Sequence, residues 1–187
     1  TSTGSLNINN CNIIMNLTSS DQQYNITVEG DLIANYSNFT SSSQAYEFNF
    51  DIYGQANISN SHISELFNRG LYIRPNSNNN IIYNNTIRNI TDDGIFIDTA
   101  NNTNITLNTI HAEQANGLGI AISNSHSNNI FFNIINSSDD GIISSTSASF
   151  NVISSNNITT VGSGGNGITL ISAHNYSNLT SNRIFAA

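Results

Sequence analysis

Apolar residues along this chain come in short bursts that alternate with polar residues at a period of two, and Asn, Ser, Asp and Gly separate the bursts. The bursts recur. Asn85-Thr86-Ile87, Asn108-Thr109-Ile110, Asn133-Ile134-Ile135, Asn156-Asn157-Ile158 and Asn182-Arg183-Ile184 repeat one triplet. Ser61-His62-Ile63 holds the same place upstream, and Asn38-Phe39-Thr40 and Asn12-Ile13-Ile14 are weaker echoes. Positions 12, 38, 61, 85, 108, 133, 156 and 182 have a mean spacing of about 24 residues. Gly-led bursts follow at Gly70, Gly94, Gly119, Gly141 and Gly167. Alternation at period two predicts strands, and the repeat is too short for two helices and a turn.

A repeat of this length suits a coil of about three short strands joined by turns. Such coils stack ~4.8 Å apart into a parallel β-solenoid. The inward aliphatics are then Leu71 and Ile73, Ile95 and Ile97, Ile120 and Ile122, and Ile168 and Leu170. The recurring Asn falls where a strand bends. Its short amide can bond its own turn and the amides above and below, which predicts a ladder at 85, 108, 133, 156 and 182. The Gly before each strand is expected to supply a positive φ at a corner.

The phrase N-N-x-I-x-x-N-x-I followed by D-D/N-G-I-x-I resembles the right-handed parallel β-helix repeat family, which includes NosD-type proteins, pectin-degrading enzymes and archaeal and bacterial surface proteins. The resemblance is close over residues 56–184 and looser over Asn25 to Ser41. It implies an all-β, right-handed parallel β-helix of about eight coils, roughly 40 Å long. It implies little about activity, because the family spans hydrolases, lyases, epimerases, adhesins and structural proteins. One domain over 1–187 is expected, with less regular coils over 1–55 and regular coils over 56–187. In Ala45 to Tyr53, Tyr46, Phe48, Phe50 and Ile52 alternate with Glu47, Asn49 and Asp51, as in a half-buried strand with an aromatic core.

Composition sharpens the picture. The chain holds 36 Asn, 27 Ser and 16 Thr, has no Lys, and is only 9% charged, with a net charge of −8. That balance argues against nucleic-acid partners and anionic membrane surfaces. No apolar run is long enough to span a bilayer. The start at Thr1 reads as a processed secreted chain, with a trimmed recombinant fragment as the alternative. The single Cys11 excludes an internal disulfide and is expected to pack as a small apolar group.

Candidate chemistry is sparse. Asp92-Asp93-Gly94 and Asp139-Asp140-Gly141 are paired carboxylates one coil apart from being neighbours, so about 10 Å would separate them, wider than an inverting glycosidase pair. The column Arg69, Asp93, Asn116, Asp140, Asn166 reads first as turn-forming, with a Ca²⁺ or sugar contact and catalysis as the alternatives. His62, His111, His126 and His174 show no metal-ligand spacing, and turn positions predict solvated rings at His126 and His174. No cofactor or metal is expected. Tyr36, Tyr53, Tyr72 and Tyr83 do not keep one coil phase, so no continuous sugar-stacking platform is expected.

Thirteen Asn-x-Ser/Thr sequons are present, most of them explained by composition. The best acceptors by turn placement are Asn35, Asn89, Asn101, Asn136 and Asn175. Two function classes remain. The first is a secreted, N-glycosylated structural surface protein, not an enzyme, that self-assembles into a filament or layer, because Leu6 to Ile14 and Leu170, Leu179 and Ile184 predict uncapped solenoid ends. The second is a carbohydrate-active or carbohydrate-binding β-helix with extracellular polysaccharide as its partner. Acids and bases clustered on adjacent coils would favour the second, and the sequence displays none.

Overall fold

The computed structural model describes residues 4–114, 116–172 and 175–186. The strands are all short except one, and they repeat around three sides of a rod. The first side is an eight-stranded parallel sheet of Ser5–Asn9, Asp31–Asn35, Gln55–Ser59, Ile81–Tyr83, Asn104–Thr106, Asn129–Phe131, Val152–Ser154 and Asn178–Thr180. The second runs through Asn12–Met15, Asn38–Ser41, the first half of His62–Ile73, Thr86–Ile90, Thr109–Ala112, Ile134–Ser137, Asn157–Thr160 and Arg183–Ala186. The third runs through Ile26–Val28, Phe48–Ile52, the second half of His62–Ile73, Ile95–Asp98, Ile120–Ser123, Ile142–Ser145 and Ile168–Ile171. This is a parallel β-solenoid of seven three-sided coils followed by two strands of an eighth. The 12-residue strand His62–Ile73 turns the corner without a break and fuses the second and third sides into one sheet. Its Gly70 meets Ile95 in an antiparallel bridge, against parallel pairing elsewhere among the described residues.

One aliphatic column per side fills the interior. Ile58, Ile82, Ile105, Ile130 and Ile153 line the first sheet, and Ile63, Ile87, Ile110, Ile135 and Ile158 the second, all at most 1% exposed. Coil two is more aromatic, as expected: Phe39, Phe48 and Phe50 are buried, with the Phe39 and Phe50 ring centroids 5.3 Å apart. Leu170 keeps its inward position but, in the last coil of the third sheet, is 43% exposed.

The corner between first and second sheets is built from two residues. Asn10, Tyr36, Asn60, Asn84, Leu107, Phe132, Ser155 and Ser181 all adopt left-handed backbone there, with φ between 48° and 59°. The residue after each belongs to the ladder. Asn85 N–H donates to Asn108 Oδ1 (2.9 Å), Asn108 to Asn133 (2.9 Å), Asn133 to Asn156 (2.9 Å) and Asn156 to Asn182 (3.0 Å). Each Nδ2 donates to the same next oxygen and also back to the inward residue of the previous coil, as Asn133 does to the Ile105 carbonyl (2.9 Å). The ladder extends through Ser61 and Ser37 to the Cys11 N–H, which donates to Ser37 Oγ (3.2 Å).

Two expectations are corrected here. Asn12 and Asn38 are not ladder positions: they pair in register with His62, one residue later, and Cys11 and Ser37 hold the corner. Of the Gly column, Gly70 takes the expected positive φ (59°). Gly94, Gly119, Gly141 and Gly167 have no positive φ, but a Cβ on Gly119 would collide with Ile135 Cγ2 and the Gly141 carbonyl. Close coil-on-coil approach demands glycine there.

A second ladder lies before the first sheet. Ala56 N–H donates to Asn80 Oδ1 (2.8 Å), Thr103 N–H to Asn128 Oδ1 (2.8 Å), Asn128 N–H to Asn151 Oδ1 (2.9 Å) and Asn151 N–H to Ser177 Oγ (3.3 Å). Thr103 interrupts it, and its buried hydroxyl has no hydrogen-bond partner.

Replacing Asn133 with Ala strands the buried Asn108 N–H and takes one donor from the Ile105 carbonyl. The expected loss is about 2–4 kcal/mol in urea unfolding, against about 0.5 kcal/mol or less for Asn129→Ala on the outer surface. Thr103→Asn supplies the missing amide, and its urea midpoint is expected to rise.

Candidate functional site

Coils two to four carry the most concentrated chemistry on the outside of the third sheet. Phe50 pairs in register with Leu71 and Ile52 with Ile73. Alternation then turns Asp51, Tyr72 and Arg74 outward together. The fused strand His62–Ile73 also brings Arg69 to the same side, against Phe96 and Asp93 of coil four. The result is a polar depression of about 240 Å³ lined by Gln22, Asn49, Asp51, Arg69, Tyr72 and Arg74.

Both guanidiniums lie on aromatic rings. The Arg74 Cζ sits 3.8 Å from the Tyr72 ring centroid and 5.3 Å from that of Tyr53, while Arg69 sits 4.4 Å from that of Phe96. The Tyr72 and Phe96 rings are themselves 5.0 Å apart and tilted. Carboxylates tether the set: Arg74 donates to Asp51 Oδ1 (2.8 Å), Arg69 to Asp93 Oδ2 (3.4 Å), and Tyr72 Oη to Asp98 Oδ2 (3.0 Å). Burial works most strongly against the Arg74 charge, but the hydrogen bond and charge of Asp51, with Tyr72 and Tyr53, together outweigh it and hold the guanidinium above its usual range. Burial, then Asp98, raises the Tyr72 hydroxyl. Asp93 is 1% exposed; burial, with Asp92 adding to it and Arg69 opposing, pushes its carboxyl up to about 7. Beside the depression, burial followed by Asp21 and Glu65 pushes Glu47 up to about 7 as well. Chemically, the depression offers two planar cations stacked on aromatic rings, beside a buried, proton-holding Asp93 carboxyl.

The sequence did not reveal this cluster, since no motif spans it. The available signal was spacing near one repeat: Asp51 to Arg74 is 23 residues, Arg69 to Asp93 is 24 and Tyr72 to Asp98 is 26. The expected acid column needs correction. Gly94 stacks on Gly119, and Gly119 on Gly141, so Leu118 and not Asn116 occupies the coil between Asp93 and Asp140. Asp140 Oδ1 instead accepts from Asn166 N–H (2.7 Å) and Nδ2 (3.0 Å), as a turn residue does. Asp93 and Asp140 therefore form no working pair.

The remaining candidates are dispersed. Arg88 Nε donates to His62 (3.2 Å), and burial and then Arg88 lower the His62 pKa. His111 contacts Glu113 and Asn136, each at 3.3 Å. His126 Nδ1 accepts from Ser149 N–H (3.2 Å), so it is a structural turn partner as well as a surface ring. His174 lies outside the described residues. No group of metal-binding side chains occurs among the described residues. Cys11 is exposed rather than packed, although Ser37, Ser61 and Asn85 at the same corner position are buried. No sequon Asn is buried: Asn89 and Asn175 are exposed, and Asn35, Asn101 and Asn136 are half-buried. Among the described residues, no helix is long and apolar enough to cross a membrane.

The raised carboxyls set a pH dependence. Asp93 and Glu47 bind protons more tightly folded than unfolded, so their contribution to stability is lost as pH rises from about 4 to about 7. The rise of Asp93 from 3.8 to about 7 corresponds to about 4 kcal/mol at most. Asp93→Asn is expected to narrow the difference in unfolding free energy between pH 5 and pH 8. Comparing variant with parent removes the opposing contribution of His62 below its ordinary pKa.

No curated protein and no solved structure matches the chain. A family model described as right handed beta helix region matches residues 1–158 and again 54–187. The two matches together span the whole sequence, and the parallel coils, stacked aliphatic columns and Asn corners are what such a match requires. The chain belongs to the right-handed β-helix family.

Proposed function

We propose that this chain is a stiff, N-glycosylated element of an extracellular surface. The observation that carries the reading is the segregation of its asparagines. All 13 sequon Asn residues lie on the outside or half-buried, while buried Asn80, Asn85, Asn108, Asn128, Asn133, Asn151 and Asn156 lie in no sequon. The reason is geometric. A ladder Asn is followed two residues later by an inward Ile, so Ser or Thr never occupies that place. The fold thus leaves the sequon asparagines at the surface: Asn101 and Asn175 lie outside the strands, and Asn35, Asn89 and Asn136 within strands. A rod with so few charges gains solubility from attached sugars.

Self-assembly belongs to the same proposal. Leu6, Ile14, Leu179 and Ile184 are 39–59% exposed on the outer strands of the described rod, where a further β-coil from another copy can add. Peptides of native material that span these sequons are expected to carry glycan mass, with filaments or sheets in electron micrographs. Bare peptides together with monodisperse monomers overturn the reading.

A second reading has its own observation, the Arg69–Arg74 depression with its stacked rings, which favours a carbohydrate contact on the third sheet. Turnover of polyuronides is expected to be absent, because Asp93 and Asp140 stand two coils apart with Leu118 between them. Turnover that vanishes in Asp93→Asn reverses that expectation.

A further inference from the structure

We propose that the outer face of the first sheet, over coils four to seven, is a binding platform for an extended, uncharged β-linked polysaccharide. The proposal is independent of the reading above, since it concerns another side of the rod. The strands Ile81–Tyr83, Asn104–Thr106, Asn129–Phe131 and Val152–Ser154 carry no charged residue. Their central Ile82, Ile105, Ile130 and Ile153 point into the core, so the flanking side chains form a flat outer surface.

Register places Tyr83, Thr106 and Phe131 in one column. Two rings therefore stand two coils apart, at about 10 Å. That interval is close to the two-sugar repeat of an extended β-1,4-linked chain, whose ring faces are apolar and whose edges carry hydroxyls. Tyrosine positions alone hide this column, because Tyr83 finds its partner in a phenylalanine. Beside the rings, Asn129 Nδ2 donates to Asn104 Oδ1 (2.8 Å). The Asn104 Nδ2 and Asn129 Oδ1 atoms have no partner among the described residues and suit a hydroxyl rim.

Backbone strain adds a second observation. The exposed Tyr36 (φ 48°) already holds the left-handed corner position in coil two, off the platform, and Asn60 and Asn84 hold it in coils three and four, where Asn is well tolerated. In the next two coils the same position holds Leu107 (φ 59°) and Phe132 (φ 55°). They are 45% and 56% exposed, so core packing does not explain bulky residues in this conformation. Both lie at the edge of the platform, and the Phe132 ring centroid is 6.4 Å from that of Phe131. A ligand lying along the column gives them a contact. The rings are separated by amides and hydroxyls, which fits a sugar chain better than the continuous apolar centre of a protein interface. The absence of cations on these strands disfavours a polyuronide.

The test is co-sedimentation of the protein with microcrystalline cellulose and with chitin, alongside a polygalacturonate gel and light scattering. Retention is expected on at least one neutral polymer. Tyr83→Ala combined with Phe131→Ala is expected to weaken it at least tenfold, and Arg88→Ala, on the second sheet, to leave it unchanged. Phe132→Asn is the more discriminating variant. It relieves the backbone, so the unfolding midpoint is expected to rise while retention falls. The proposal is overturned by failure to bind either neutral polymer, by retention unchanged in the double variant or in Phe132→Asn, or by preference for polygalacturonate. A dimer that the double variant dissolves, without polymer binding, also overturns it and makes the face a contact between copies.

Discussion

Every coil of this rod must turn sharply three times, and each turn takes a backbone N–H out of the strand pairing that would otherwise satisfy it. Burying such a group unpaired costs about 1–3 kcal/mol. The amide of the next coil's Asn, set just after a left-handed residue, satisfies that requirement from Asn85 to Asn182. Inward isoleucines can stack only because the corners hold the coils in register, and the Gly column can approach its neighbour only because that register is kept. The rod therefore depends on an amide contact at one corner more than on any single apolar contact.

The same regularity confines chemistry to places where it is broken. Strand His62–Ile73 runs across a corner, and it is there that two of the four arginines reach one surface with Asp51, Asp93 and Asp98. Along the regular coils, side chains repeat at fixed intervals, which produces ladders and columns and not convergent pairs. Asp93 and Asp140 illustrate the limit: the sequence makes them look like one motif used twice, and stacking keeps them apart.

Much of the fold was legible. The Asn-x-Ile period located the inward isoleucines and five ladder residues, because an inward aliphatic two places after a corner Asn leaves a periodic trace. The trace faded where the corner is held by Cys11 and Ser37, whose small side chains replace the amide and so shifted the apparent phase by one residue. The second ladder was missed because Asn80, Asn128 and Asn151 sit within Asn-rich turns, and Thr103 breaks the series. Glycine was read as a conformational device, which holds at Gly70, but from Gly94 to Gly167 it is a steric one. The basin was invisible because its members share no motif, only a distance of about one repeat, and repeat length itself varies from corner to corner.

The ladder also has a direction. The Asn85 N–H waits for the oxygen of Asn108, and Asn108 in turn reaches back to the Ile82 carbonyl. Each coil is thus completed by its successor in sequence, never by its predecessor alone. A chain emerging from a ribosome, or threading through an export pore amino end first, presents its coils in the order in which they can close. The newest coil is always the one left open, and its arriving neighbour supplies the missing acceptor. Synthesis and closure advance along the same axis, so the rod can be wound as it is made, without waiting for its far end.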